Sequence, residues 1–133
     1  MSRGGLAYLD ASAFVKLVAA EPESQALRAE LIAWPQAIAS ELLEVEAQRF
    51  AQRYGGPAPR LVSSALRRVT LVPMSSEIRR LAVAAQPPEL RTLDAIHLAT
   101  ALVLGSTVGA FFAYDKRLAS AATAAGLAVL APG

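Results

Sequence analysis

Asp10, Asp94 and Asp115 stand where strands end or helices begin, Glu46 lies about two helical turns after a strand, and four carboxylates so placed can meet at one edge of a sheet. Gathered carboxylates are hard oxygen ligands of the kind that suits Mg2+ or Mn2+. Two such ions can activate water and clamp a scissile phosphate for in-line attack. Four negative charges at one edge also repel. At least one carboxyl pKa is therefore expected to rise, and Asp94→Asn is expected to be more stable than the unsubstituted chain without metal. Three of the acids have an ordinary structural reading beside this one. Asp10 could be a turn residue, Asp115 the cap of the helix that follows it, and Asp94 an acid favoured at a helix N-terminus.

The elements that must position these acids are legible. Leu6-Ala7-Tyr8-Leu9 reads as a short buried strand, freed at its start by Gly4-Gly5 and ended by Asp10. Ser12 is then a good N-cap for a helix over Ala13 to Ala20. A helix from Glu23 to Trp34, ended by Pro35, precedes a second strand, Gln36 to Ala39, and Ser40 caps the next helix. In that helix Leu43, Ala47, Phe50 and Tyr54 form one buried stripe. At ~100° per residue Glu46 lies about 60° from Leu43 and about 40° from Phe50, so it borders the stripe, while Glu41 and Glu44 face solvent. Pro59 to Arg68 reads as a helix, Val69 to Pro73 as a third strand, and Ser75 caps a helix to about Ala85.

Thr92 caps a helix from Leu93 to Leu104 that is apolar almost all round apart from Asp94, and Gly105 closes it. An ionised Asp94 buried there is costly unless paired or bound to a cation. His97, three residues on, shares a face with Asp94 and reads as a hydrogen-bonded core histidine rather than a ligand. Ala110 to Tyr114 is a fourth strand that stops at Asp115, Lys116 to Ala125 a helix, and Leu127 to Leu130 the last strand. Strands alternating with helices predict a three-layer α/β/α sandwich around a central parallel sheet of about five strands.

The 133 residues, 54% of them hydrophobic, suffice for one domain with a real core. No apolar run reaches the roughly 18 residues a membrane span needs, and Met1 to Gly5 is too short for a signal peptide, so a cytoplasmic protein is expected. The absence of cysteine excludes disulfides and thiolate chemistry. Of eleven acids, seven remain outside the proposed cluster against thirteen Lys and Arg. An acidic cleft on a basic body suits a metal site that handles a polyanion. Arg60, Arg67, Arg68, Arg79, Arg80 and Arg91 are candidates to follow phosphates, though such contacts carry no sequence information. The chain has neither a G-x-S-x-G elbow nor a G-x-G-x-x-G or G-x-x-x-x-G-K-[ST] loop, which sets aside serine hydrolases and nucleotide-binding loops.

Tyr8-Leu9-Asp10-Ala11-Ser12-Ala13, Ser40-x-Leu42-x-x-x-Glu46, Leu90-Arg91-Thr92-Leu93-Asp94-Ala95-Ile96-His97-Leu98-Ala99, and Tyr114-Asp115-Lys116-Arg117-Leu118 with Ala121-Ala122 and Gly126-Leu127 resemble, in order and spacing, the segments of PIN-domain ribonucleases. More narrowly, the chain resembles a VapC-type toxin of a type II toxin–antitoxin pair, with residues 1–133 as a single PIN domain. The resemblance implies Asp10, Glu46, Asp94 and Asp115 as an acidic quartet around Mg2+ or Mn2+, endonucleolytic cleavage of RNA, a homodimer, and a small antitoxin that blocks the site. By similarity Ser12 would support the first acid and a metal-bound water. The chain departs from the pattern at Ala113, where many relatives carry Thr or Ser two residues before the fourth acid, and so lacks a hydroxyl there to orient water or metal.

Two other classes compete. A haloacid-dehalogenase-like phosphohydrolase also begins with a strand ending in Asp, but wants a second Asp where this chain has Ser12. A catalytically weak PIN-like RNA-binding module would normally have lost one of the four acids, and all four are present.

Overall fold

Leu6–Leu9, apolar and flanked by glycine and aspartate, is the first strand, β1, of a sheet built entirely of parallel pairs. The structure is a computed structural model that describes residues 4–133; Met1-Ser2-Arg3, part of the lead-in read as too short for a signal peptide, lie outside the described residues. The other strands are β2 (Ala37–Ser40), β3 (Val69–Val72), β4 (Val108–Phe112) and β5 (Val129–Leu130), in the spatial order β3-β2-β1-β4-β5. Around them run α1 (Ala11–Phe14), α2 (Ser24–Leu31), α3 (Leu42–Tyr54), α4 (Ala58–Leu66), α5 (Ser76–Val83), α6 (Thr92–Leu104) and α7 (Lys116–Ala124). This is the expected five-stranded α/β/α sandwich. Parallel strands need crossovers, and the helices supply them while covering the apolar faces of the sheet.

The strand order matters more than the strand count. From β1 the chain steps outward through β2 and β3, then returns to the other side of β1 for β4 and β5. The order therefore reverses between β1 and β4, and a crevice opens beyond their carboxyl ends. β1 lies at the centre, with Ala7, Tyr8 and Leu9 buried, and the Tyr8 ring stacks on Phe111 of β4 at 5.1 Å. Two glycines let β1 and β4 start side by side. Gly5 has φ +84°, and a Cβ on Gly109 would fall 2.1 Å from the Gly4 carbonyl oxygen and 2.6 Å from the Trp34 ring.

Several boundaries differ from the expected ones. The helix anticipated over Ala13 to Ala20 is α1 followed by a 3-10 turn, Val15–Leu17. Beyond that turn side chains take the free carbonyls: Arg28 donates to the Leu17 oxygen at 3.1 Å and Ser24 to the Ala19 oxygen at 3.0 Å. The fourth strand ends at Phe112 rather than Tyr114, because the Tyr114 N–H leaves the ladder to bond the Ser12 hydroxyl. Ser75 caps α5 as expected, accepting from Ile78 N–H at 3.1 Å, and Ser40 accepts from Leu42 N–H at 3.1 Å at the start of α3. Thr92 is the first residue of α6, and the extended Arg91 precedes it at the cap position.

Candidate active site

Asp10 follows the last residue of β1, and its N–H donates to the Phe112 carbonyl at the end of β4. Its carboxylate caps α1, accepting from Ala13 N–H at 2.8 Å and from the Ser12 hydroxyl at 2.7 and 2.9 Å. The sequence had given the capping role to Ser12. Asp10 takes it instead because it is the residue left in extended conformation as the strand ends, with ψ of 177°. Ser12 lies within the helix and supports the acid. Its proton goes to Asp10, and its oxygen accepts from Tyr114 N–H at 2.9 Å, so one hydroxyl joins the ends of β1 and β4.

Asp10 is only 2% exposed. Burial pushes its carboxyl up to about 6; the bonds from Ser12 and Ala13 and the nearby His97 oppose this, and the charge of Asp94 adds to it. Asp94, in the first turn of α6, is also raised, again chiefly by burial. The Arg91 charge pulls it down and the Asp115 charge pushes it up. The anticipated rise is thus present at two acids, with desolvation as its leading cause and mutual repulsion a smaller one.

Asp115 does not end a strand. It caps α7, accepting from Leu118 N–H at 3.0 Å, and it is reached through the short link Ala113-Tyr114. Arg91 bridges Asp94 and Asp115: its Nε lies 3.4 Å from Asp94 Oδ2 and its Nη2 3.3 Å from Asp115 Oδ2. The bridge is long and open, with the Arg91 side chain 72% exposed.

Glu46 points inward from α3 while Glu41 and Glu44 are exposed. What holds it is His97 of α6, whose Nε2 is 2.6 Å from Glu46 Oε1. The other ring nitrogen, Nδ1, is 2.8 Å from the Tyr8 hydroxyl, which in turn accepts from Ser40 N–H at 3.0 Å. His97 is therefore the bonded core histidine that its setting on α6 had implied.

The acids are thus linked in a row: Asp10 senses Asp94, Asp94 senses Asp115, and Glu46 lies across His97 from them. Among the described residues no three of these groups stand as a ready-made cation cage. Arg91 occupies Asp94 and Asp115, and His97 holds one oxygen of Glu46. The donor chemistry nevertheless fits a divalent ion, since the oxygens are hard and Asp10 is a carboxylate whose charge its surroundings leave undercompensated. Three contributors escaped sequence reading as parts of one site. Tyr8 looked like strand filler, Ser40 like a cap, and Arg91 like one phosphate contact among six; the Leu90-to-Ala99 segment was the one signal that grouped Arg91, Asp94 and His97. Ser12, read both as a cap and by resemblance as support for the first acid, is found in the second role.

The PIN domain family matches residues 7–124 of the chain. This chain belongs to the PIN-domain family. That membership sets aside the haloacid-dehalogenase-like reading. Among PIN-domain relatives, the chain is 43% identical to Ribonuclease VapC46 of Mycobacterium tuberculosis, with 94% of this chain and 96% of that one covered. It is 44% identical to Ribonuclease VapC35 of the same species, covering 95% and 96%. Among solved structures it resembles a toxin–antitoxin complex from Klebsiella pneumoniae, with a TM-score of 0.74 and 23% identity over 96% of this chain and 98% of that one. It also resembles M. tuberculosis VapC20, described as a sarcin-ricin loop cleaving toxin, with a TM-score of 0.73 and 18% identity over 95% and 99%.

Proposed function

We propose that the protein is an Mg2+- or Mn2+-dependent endoribonuclease and the toxin of a toxin–antitoxin pair. The relatives named as VapC ribonucleases support this, at 37–44% identity across nearly their whole length. The single observation that carries it is Asp10: a buried carboxylate, pushed up to about 6, in the crevice where the strand order reverses. Burying an acid there costs stability, and carboxylates shifted upward by burial in a crevice are characteristic of functional sites.

Asp10, Asp94, Asp115 and Glu46 would hold the metal, with Ser12 beside them. The metal, when bound, supplies an activated water and neutralises charge on the scissile phosphate. The chain's own part is to hold oxygens still. Ala13 N–H and the Ser12 hydroxyl fix Asp10, and Leu118 N–H fixes Asp115. Arg91 competes with a metal for one oxygen each of Asp94 and Asp115; displaced from them, its exposed guanidinium stands beside the site, where it can meet a phosphate. An antitoxin Arg or Lys could enter the same acidic position. The homodimer and the cytoplasmic setting belong to this reading. Among the described residues no helix is long and apolar enough to cross a membrane.

Incubating the protein with RNA and Mg2+, Mn2+ or EDTA tests the proposal. Metal-dependent internal cuts are expected, with sequencing of the new RNA ends giving the site. Intact RNA in every metal would leave the fold as a binding module. Growth inhibition on expression, relieved by the neighbouring small reading frame, tests the toxin role, and light scattering tests the dimer.

A further inference from the structure

The residues assigned to cleavage leave one buried polar chain unexplained. Tyr8 and His97 are among the largest fully buried side chains of the protein, and His97 is 1% exposed. Tyr8 lies two residues before Asp10 on β1, Ser40 ends β2, Glu46 is on α3, and His97 is one turn beyond Asp94 on α6. Polar groups buried this deeply persist when every donor and acceptor is matched, and among the described residues no buried side-chain nitrogen or oxygen lacks a partner.

The bonds run in one direction. Ser40 N–H can only donate, so the Tyr8 oxygen accepts at 3.0 Å. The Tyr8 proton is then available to His97 Nδ1 at 2.8 Å. At the far end an ionised carboxylate can only accept. A ring nitrogen 2.6 Å from Glu46 Oε1 must therefore carry the hydrogen, which fixes the proton on Nε2. Turning the ring over would put carbon where each nitrogen stands and so break both bonds. Glu46 Oε1 is thereby pinned from inside the protein, and Oε2 remains as the oxygen that can face a cation.

We propose that His97, oriented by Tyr8, is a positioning residue that fixes Glu46 by donating from Nε2, so that Glu46 offers a single oriented oxygen to the metal. This rests on the metal-dependent reading above, but the proton placement does not. A carboxylate on a surface helix would otherwise sample several rotamers, and outer hydrogen bonds of this kind typically change metal affinity by ~10- to 100-fold. Asp94 and His97 also ride on the same helix, so a shift of α6 would move one metal oxygen and the support of another together.

The chain contains one histidine, which makes the test clean. In protein labelled with 15N-histidine and free of metal, the imidazole should show a proton on Nε2; a ring with Nε2 bare would overturn the proposal. Mn2+ titration of folded protein, with kcat and KM for RNA cleavage, provides the second arm. His97→Leu should weaken Mn2+ binding about 10-fold or more, and His97→Gln, whose amide can reach Glu46, should recover part of it. Tyr8→Phe is the milder variant should His97→Leu not fold, with an expected loss of about 3- to 10-fold in Mn2+ affinity. The loss should fall on kcat more than on KM. If the folded variants bind Mn2+ like the wild type, with only their melting temperatures lowered, the network is structural packing and the proposal is wrong. A wild type that binds no Mn2+ yet carries the Nε2 proton would overturn the metal reading and its positioning consequence, while upholding the proton placement.

Discussion

The site has two flanks of different construction. On the β1 flank Asp10 is sealed in the interior and held by short bonds from Ala13 and Ser12, while Tyr8 and His97 are buried beside it. On the α6–α7 flank Asp94 and Asp115 lie nearer solvent, and Arg91 joins them with contacts of 3.3–3.4 Å from an exposed side chain. The inner flank stores unfavourable charge, because burial costs Asp10 more than Ser12, Ala13 and the nearby His97 return. The outer flank has the exposed Arg91 cation and open access to solvent. The difference teaches where a metal would matter most for stability and where it must displace a competitor.

The largest effect should come from removing the buried charge. Asp10→Asn keeps an acceptor for Ala13 N–H and so should fold, yet RNA cleavage should fall by about 100-fold or more, as loss of a metal oxygen requires. In EDTA the same variant should be more stable than the wild type at neutral pH, by about 1–3 kcal/mol. Single-turnover cleavage and chemical denaturation check the two halves. A variant that cuts at the wild-type rate would remove Asp10 from the site.

Acidity tests the same flank without mutation. Asp10 keeps its proton up to pH about 6 in the folded chain, whereas an unfolded Asp loses it near 4. The folded state thus binds more protons between these values, so metal-free stability should fall as pH rises from about 4 to about 6, by ~3 kcal/mol at most, and stay lower above. Asp10→Asn should lack this component. The difference between the two denaturation curves across that window isolates it from the other carboxylates.

Asp94→Asn is the matched change on the outer flank. The gain in stability without metal should be under about 1 kcal/mol, because Arg91 offsets part of the burial cost and solvent screens the rest. A gain as large as that of Asp10→Asn would erase the contrast between the flanks. Arg91→Ala should have the smallest effect, strengthening Mn2+ binding by about 2- to 5-fold as a loose, exposed ion pair stops competing. Calorimetric titration measures it, and weaker binding would mean that Arg91 supports the acids rather than occupying them.

The sheet was legible because each strand is a short apolar run between helices with their own caps or stripes. The angle of Glu46 to Leu43 and Phe50 was enough to separate it from Glu41 and Glu44. The bonds that organise the site were not legible, because they join residues far apart in the chain. Tyr8 and His97 are 89 positions apart, and Ser12 and Tyr114 are 102 apart. Local pattern assigned Ser12 to a cap because a serine after an acid suits one. Only the meeting of β1 with the link after β4 shows that its oxygen is needed there. Gly109 was equally silent, since its lack of a side chain matters only where Gly4 and Trp34 close over it.

The pairing of β1 with β4 also sets a clock on synthesis. The ribosome makes Asp10 long before the strand that lies beside it is completed at Phe112, and Asp115 follows later still. Until then the growing chain has one flank of the crevice and no opposite wall. A chain interrupted before Phe112 should therefore hold Asp10 without the wall that buries it, and without Tyr114 to meet Ser12.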